Sequence, residues 1–266
     1  MRLLLVGDVF GRPGRSLLQR RLPAIIEEQG VDLTIANAEN AAGGTGLTRE
    51  TADEVLDAGV DLMTMGNHTF AKREILSFID REPRLIRPLN YPPGTPGRGW
   101  TVVTSRSGVE VGVINAMGRV FATAHLDDPF RGVDAALAAM PETVRVRVVD
   151  FHAEATAEKM AMGLYLDGRV SVVAGTHTHV QTADARVLPG GTAFVTDLGM
   201  TGPRDSIIGV KPELALSRFL TQLPVRFQPA EGPALLSAAL VDVDAESGRA
   251  TGIEAFVEGL GARQRG

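Results

Sequence analysis

Four of the chain's five histidines fall in three short segments: Gly66-Asn67-His68, Asp150-Phe151-His152 and Gly175-Thr176-His177-Thr178-His179. Two more segments, Gly7-Asp8 and Asn37-Ala38-Glu39-Asn40, add oxygen donors. The set is two carboxylates, one or two amides and three or four imidazoles, too rich for a single structural ion. It suits two divalent ions about 3.5–4 Å apart, which need a shared anionic ligand and generate hydroxide as a nucleophile. Glu39 is the expected bridge, because it follows a strand flanked by those that supply Asp8 and Asn67. The i, i+2 spacing of His177 and His179 lets one extended segment aim two imidazoles at neighbouring ions. His68 follows an amide ligand and is left near the substrate, placed to protonate a leaving oxygen or stabilise charge on phosphorus.

Taken singly, each segment has an ordinary reading. Asp8 or Glu39 alone is a turn acid, Gly-Asn-His is a turn that glycine and asparagine favour, and His-Thr-His is a strand edge. Their joint placement at strand ends is what points to a metal. His125, in Ala124-His125-Leu126-Asp127-Asp128, lacks that setting and reads as a surface or structural residue. Residues 7–14 hold glycines but not the full dinucleotide fingerprint.

The elements that must position these groups follow from periodicity. Residues 3–6, 31–36, 60–65, 144–149 and 170–174 are apolar, β-branched runs that read as buried strands, each directly before a donor segment. Arg12-Pro13-Gly14 opens a helix in which Leu17, Leu18, Leu22, Ile25 and Ile26 recur at helical spacing, and Gly30 closes it. Thr48 is the expected N-cap of a helix to Ala58, and residues 72–80, 133–139, 155–165 and 213–221 give further helices. Strands are also expected at 100–104, 109–115, 185–188, 192–196, 233–243 and 252–257, with 88–99 a surface loop. Short buried strands alternating with helices imply largely parallel sheets with right-handed crossovers. The expected class is therefore α/β, two packed mixed β-sheets flanked by helices, in one domain spanning 1–266 with residues 260–266 a frayed tail. Ligands in such sheets bind beyond the carboxyl ends of the strands, where all the donor segments lie.

Composition narrows the partners. With 44% hydrophobic and 22% charged residues the chain supports a core and is not disordered. A net charge of −5 with interspersed signs gives no footprint for an obligatory long nucleic acid, while a small anion held by metal and local arginines is compatible. There is no cysteine, which removes disulfides, zinc ribbons and thiol nucleophiles. The first apolar run is too short for a signal peptide, and no stretch approaches the roughly 18–20 apolar residues of a membrane span. A cytoplasmic protein, alone or as a homo-oligomer, is expected.

The order Gly7-Asp8, Asn37-Ala38-Glu39-Asn40, Gly66-Asn67-His68, His152 and Gly175-Thr176-His177-Thr178-His179 resembles the calcineurin-like metallophosphoesterases. More narrowly it resembles their YmdB-like bacterial branch, with GDVFGRPGR at 7–15, DFHAEATAEK at 150–159, GTHTHVQTAD at 175–184 and TDLGMTGP at 196–203. The resemblance covers nearly the whole chain. It implies a metallophosphatase-type four-layer sandwich with a two-metal site at its loop-bearing edge. Asp8, Glu39, Asn40 and His179 would hold one ion, Glu39, Asn67, His152 and His177 the other, with His68 catalytic. The implied ions are iron or manganese, with magnesium or zinc as alternatives. The implied substrates are 2′,3′-cyclic nucleotides and related small phosphodiesters.

This chain departs from the wider superfamily in having Phe10 for a histidine, Glu39 for the bridging aspartate and Thr69 for an acid, which puts substrate preference carried over from that superfamily in doubt. A phosphomonoesterase or nucleotidase, and a regulatory protein in RNA turnover or signalling with secondary catalysis, are the competing readings. Residues 43–46 and 198–209 are glycine-rich segments that either order over substrate or are mobile turns. Arg12 and Arg15 either meet phosphate or are solvated.

Overall fold

The computed structural model describes residues 1–122 and 124–259, and the backbone of residues 262–264. The amino-terminal half runs β1 (Arg2–Val6), β2 (Asp8–Val9), α1 (Gly11–Gln29), β3 (Leu33–Asn37), α2 (Arg49–Asp57) and β4 (Leu62–Thr64). Then come β5 (Trp100–Thr104), β6 (Glu110–Met117), α3 (Pro129–Ala139), β7 (Val146–His152), α4 (Thr156–Tyr165) and β8 (Val172–Thr176). The last elements are β9 (Arg186–Val187), β10 (Ala193–Val195), β11 (Met200–Pro203), α5 (Pro212–Thr221), β12 (Ala234–Val243), β13 (Ala250–Gly259) and β14 (Ala262–Gln264).

The strands form two mixed sheets. One runs β14-β13-β12-β1-β3-β4, with β11 pairing to both β12 and β2; the other runs β5-β6-β7-β8-β10-β9. The β1-β3-β4 and β6-β7-β8-β10 pairs are parallel, as the crossover helices require. Side-chain alternation sorts the strand residues into three apolar layers. Leu3, Leu5, Leu33, Ile35, Val146, Val148, Val172 and Ala174 meet between the sheets. Leu4 and Val6 face α1 and α2, and Val149, Phe151 and Val173 face α3 and α4. The result is the expected four-layer α/β/β/α sandwich.

The same period of two builds the site. On the inner face, Leu33 and Ile35 are followed by Asn37, Leu62 by Thr64, Val146 and Val148 by Asp150 and His152, and Val172 and Ala174 by Thr176. Each inward row thus turns from apolar to polar at the carboxyl end of its strand, and the rows converge there.

Helix ends obey local rules. Gly30 closes α1 at φ 61°, and Thr48 caps α2 in a reciprocal box with Thr51. The helix expected at 72–80 is instead one 3-10 turn, Arg73–Ser77. Pro83 disfavours helical geometry at Glu82, and Ile75, Phe78 and Ile79 already reach the core from that single turn. The start of the glycine-rich segment 198–209 is also not a mobile turn. Met200–Pro203 is the buried strand β11, and its Gly and Pro are accommodated because β12 and β2 supply the partners. Of the expected tail, residues 260, 261, 265 and 266 lie outside the described residues, and Ala262–Gln264 pair with β13. No described helix is long and apolar enough to cross a membrane.

Candidate metal centre

His152 is the hub of the strand-end cluster. It closes β7 fully buried, and its Nε2 lies 2.9 Å from Asn67 Oδ1, 3.1 Å from Glu39 Oε1 and 3.0 Å from His177 Nδ1. Its other nitrogen, Nδ1, lies 2.9 Å from Thr176 Oγ1, whose hydroxyl donates to Asp150 Oδ1 at 2.7 Å. An ionised Asp150 only accepts, so Thr176 spends its proton there and takes one from His152 Nδ1. That leaves Nε2 as the nitrogen facing Glu39, Asn67 and His177.

The other two imidazoles are held the same way. His177 places Nε2 2.9 Å from Glu154 Oε2 and turns Nδ1 inward. His179 donates Nδ1–H to the Ile208 carbonyl at 2.9 Å and points Nε2 towards Asp8 Oδ1, 3.8 Å away. Outer acceptors that fix the tautomer and aim the inner nitrogen are the usual support of metal-binding histidines. His177 and His179 adopt φ of 102° and 66°, and Ile208 48°. Left-handed backbone at three non-glycine residues costs energy and is retained where the surroundings impose it.

Two buried acceptors complete the donor set. Asp8 Oδ1 and Asn40 Oδ1 have no hydrogen-bond partner, although Asp8 Oδ2 accepts from His177 N at 3.1 Å and Asn40 Nδ2 donates to the Gly44 carbonyl at 2.9 Å. Buried acceptors left unpaired are costly unless something positive meets them. The geometry therefore fits divalent cations: Glu39, Asn67, His152 and His177 form a tight group, and Asp8, Asn40 and His179 a looser one beside it. His68 sits on the rim, its backbone N–H donating to Glu39 Oε2 at 2.8 Å. His125 is exposed.

Electrostatics reflect the crowding. Burial pushes the Asp8 carboxyl up to about 6, against the pull of His179 and His152. At Glu39 burial is outweighed by His152 and His68, holding the carboxyl at about 2. Burial also opposes charge on His152, yet Glu39, Asp8 and Asp150 raise it to about 9. Burial and the neighbouring His152 lower His177 to about 3, so one imidazole of the pair is charged at neutral pH. Burial leads the causes that lower His68, with Glu39 opposing.

The sequence reading missed the outer supports, namely Asp150, Thr176, Glu154, Ile208 and the buried Lys159–Asp197 pair. The glycine of Gly-Asn-His opens a turn at residues 67–70, and its lack of a side chain serves the cluster directly. Gly66 does not adopt positive φ; a Cβ there would lie 2.3 Å from His152 Nε2 and 2.5 Å from Glu39 Oε2. Gly66→Ala is therefore expected to displace His152 and Glu39 and to lower retained metal after dialysis at least about tenfold, the scale of a disturbed ligand support. Metal content equal to wild type would show that the backbone yields instead. Phe10 is buried and packs edge-on against His179 with ring centroids 5.6 Å apart.

Two mixed sheets packed face to face, helices outside and this donor set at the strand ends define the metallophosphoesterase fold. The chain belongs to the YmdB-like family, which matches residues 4–256. It is 50% identical over 254 residues to a Bacillus subtilis (strain 168) protein named 2′,3′-cyclic-nucleotide 2′-phosphodiesterase, covering 96% of each chain. A hypothetical protein from Thermus thermophilus superimposes with a TM-score of 0.91 at 45% identity, covering 97% of this chain and 99% of that one. A Mycoplasma pneumoniae structure described as a novel phosphatase gives a TM-score of 0.91 at 31% identity, with 97% and 93% covered.

Proposed function

We propose that this protein is a phosphoric diester hydrolase acting on small phosphodiesters of the 2′,3′-cyclic nucleotide type, with two divalent ions held by the strand-end cluster. One observation carries the reading: three imidazoles have their outer nitrogens bound and turn their inner nitrogens into one cluster, His152 to Glu39 and Asn67, His177 to His152, and His179 to Asp8. The named activity of the B. subtilis relative, aligned over nearly the whole chain, supports the substrate class. Asp8, Glu39, Asn40 and His179 are assigned to one ion, and Glu39, Asn67, His152 and His177 to the other. Oxygen and imidazole donors without thiolate suit iron or manganese. Bound there, such ions supply Lewis acidity and a water that ionises near neutral pH.

The chain's own groups do the rest. Asp150 and Thr176 fix the proton of His152 on Nδ1, Glu154 that of His177 on Nε2, and the Ile208 carbonyl that of His179 on Nδ1. His68 borders both clefts that open onto the cluster, one of about 360 Å³ and one of about 400 Å³. Burial leads the causes that lower its pKa, which makes its protonated form a stronger acid towards a leaving oxygen.

Activity on 2′,3′-cyclic nucleotides and bis-p-nitrophenyl phosphate, with Mn²⁺ or Fe²⁺, is the direct test; metal-loaded protein inert on both would end the proposal. His68→Ala is expected to slow cyclic-nucleotide hydrolysis about 10²–10⁴-fold. It should slow the nitrophenyl ester less, because nitrophenolate leaves without a proton. Equal losses on the two substrates would remove the proton-donor role.

A further inference from the structure

A cavity of about 680 Å³ opens beside the metal centre and is lined by Arg12, Arg20 and Lys211. None of these three side chains makes an ion pair or hydrogen bond among the described residues. Arg15, on the same wall, is already committed to Glu54 at 2.7 Å and to the Ala41 carbonyl. Glu231 is the one acid in the lining. In a chain of net charge −5, three free cations against one acid are not an average sample of the surface.

The cavity is continuous with the site. Gly43, Gln228 and Pro229 line both it and the apolar cleft of about 400 Å³ that reaches Glu39, His68, His177 and His179. Phe10, Ile208, Phe219 and Phe227 wall that cleft. Three environments therefore follow one another: the metal-donor cluster, an aromatic cleft and a cationic cavity. A nucleotide presents complementary groups, with a phosphate at the 2′,3′ edge, a base that stacks on aromatic side chains, and a second phosphate at the 5′ carbon.

We propose that the Arg12–Arg20–Lys211 cavity binds a second phosphate, on the 5′ side of the nucleoside whose cyclic diester lies at the metal centre. The proposal rests on the phosphodiesterase reading above and adds the substrate class: a 5′-phosphorylated 2′,3′-cyclic nucleotide, free or as the 3′ end of a short oligoribonucleotide. In the reaction, an oxygen from water bonds to phosphorus, the P–O2′ bond breaks and O2′ takes a proton. A 3′-phosphate results and the 5′ phosphate is unchanged. The cavity thus acts on binding, through charge-assisted hydrogen bonds that weaken with salt.

The test compares adenosine 2′,3′-cyclic phosphate carrying a 5′-hydroxyl, a 5′-phosphate or one further 5′ nucleotide. The 5′-phosphate is expected to lower KM about tenfold, at unchanged kcat. Arg12→Gln/Arg20→Gln should erase that gain and leave the 5′-hydroxyl substrate unaffected. Gain only with the extra nucleotide assigns the cavity to oligonucleotide ends, and gain with both assigns it to the phosphate itself. Calorimetry with adenosine 3′,5′-bisphosphate against adenosine 3′-phosphate gives a second readout that needs no turnover. Protein that hydrolyses none of the substrates but prefers the bisphosphate, with the preference lost in the double variant, keeps the cavity assignment and overturns the phosphodiesterase reading. No preference in either assay overturns the cavity assignment.

Discussion

Glu39→Gln is expected to cost about a thousandfold or more in kcat/KM on diesters while the protein stays folded. The magnitude is that of losing a preorganised electrostatic group at a reacting centre. Glu39 is buried, meets His152 Nε2 through one oxygen and accepts His68 N–H through the other. It is the carboxylate that meets the inner nitrogen of His152, so its amide would leave the two proposed dications without a shared anion. The fold is expected to survive because the histidine can follow the change. With glutamine beside it, the pull of Glu39 on His152 is gone and burial favours the neutral ring, so the histidine need not stay charged without that partner.

The metal-free proteins should differ in their pH dependence. His152 sits above its unfolded value in the wild type, so its ion pair stabilises below the unfolded pKa and is lost as pH rises through about 9. Glu39 sits below its unfolded value, so its share is present above that value and lost only as pH falls through about 2. Between these limits the metal-free wild type should melt higher than Glu39→Gln, and the two should converge above pH 9. Circular dichroism melts, elemental analysis and diester kinetics on both proteins decide it. A variant that keeps its metal and its rate would remove Glu39 from the bridge.

The donor segments and the strands before them were legible because both obey short-range rules. A buried strand is an apolar run, and its inward row continues past the strand end with the same period, which marks Glu39 and His152, while Asp8 and His177 stand just beyond the runs that contain Leu4, Val6 and Val173. The parallel order of β6, β7, β8 and β10 was equally implied by the helices between them. What stayed hidden depends on partners remote in sequence. Thr176 holds His152 only because their strands pair with those two residues opposite each other. The need for a bare backbone at Gly66 comes from side chains on β7 and after β3. The two-residue β2 and the Gly-Pro strand β11 have no periodicity to read; β2 pairs with the first half of β11, and β12 pairs with the second. The cationic cavity is similar. Arg12 and Arg15 look alike in sequence, but Glu54 occupies Arg15. The cations that remain free with Arg12 lie further along α1 and just before α5, a grouping that only the fold creates.

Asp197→Asn is expected to lose both stability and metal, although Asp197 is not in the donor set. Lys159 on α4 and Asp197 after β10 are both fully buried, with Nζ 2.6 Å from Oδ2. Asp197 Oδ2 also accepts Thr178 N–H at 3.0 Å and the Thr178 hydroxyl at 2.8 Å, and Oδ1 accepts Gly199 N–H at 2.8 Å. The residue it grips lies between His177 and His179, whose left-handed backbone needs an external restraint. Neutralising the aspartate strands a lysine in the interior, a change that costs about 3–5 kcal/mol when one partner of a buried pair is removed. Lys159→Met in the same background removes the stranded charge, and stability should largely return. Metal affinity should not return with it, because the substituted amide holds Thr178 with a neutral acceptor and can turn an N–H towards it. Thermal melts and metal titrations of the single and double variants separate the two effects. Recovery of both together would mean that Asp197 serves only to neutralise Lys159. Recovery of stability alone would show that the same carboxylate sets the aim of two histidines from behind the loop.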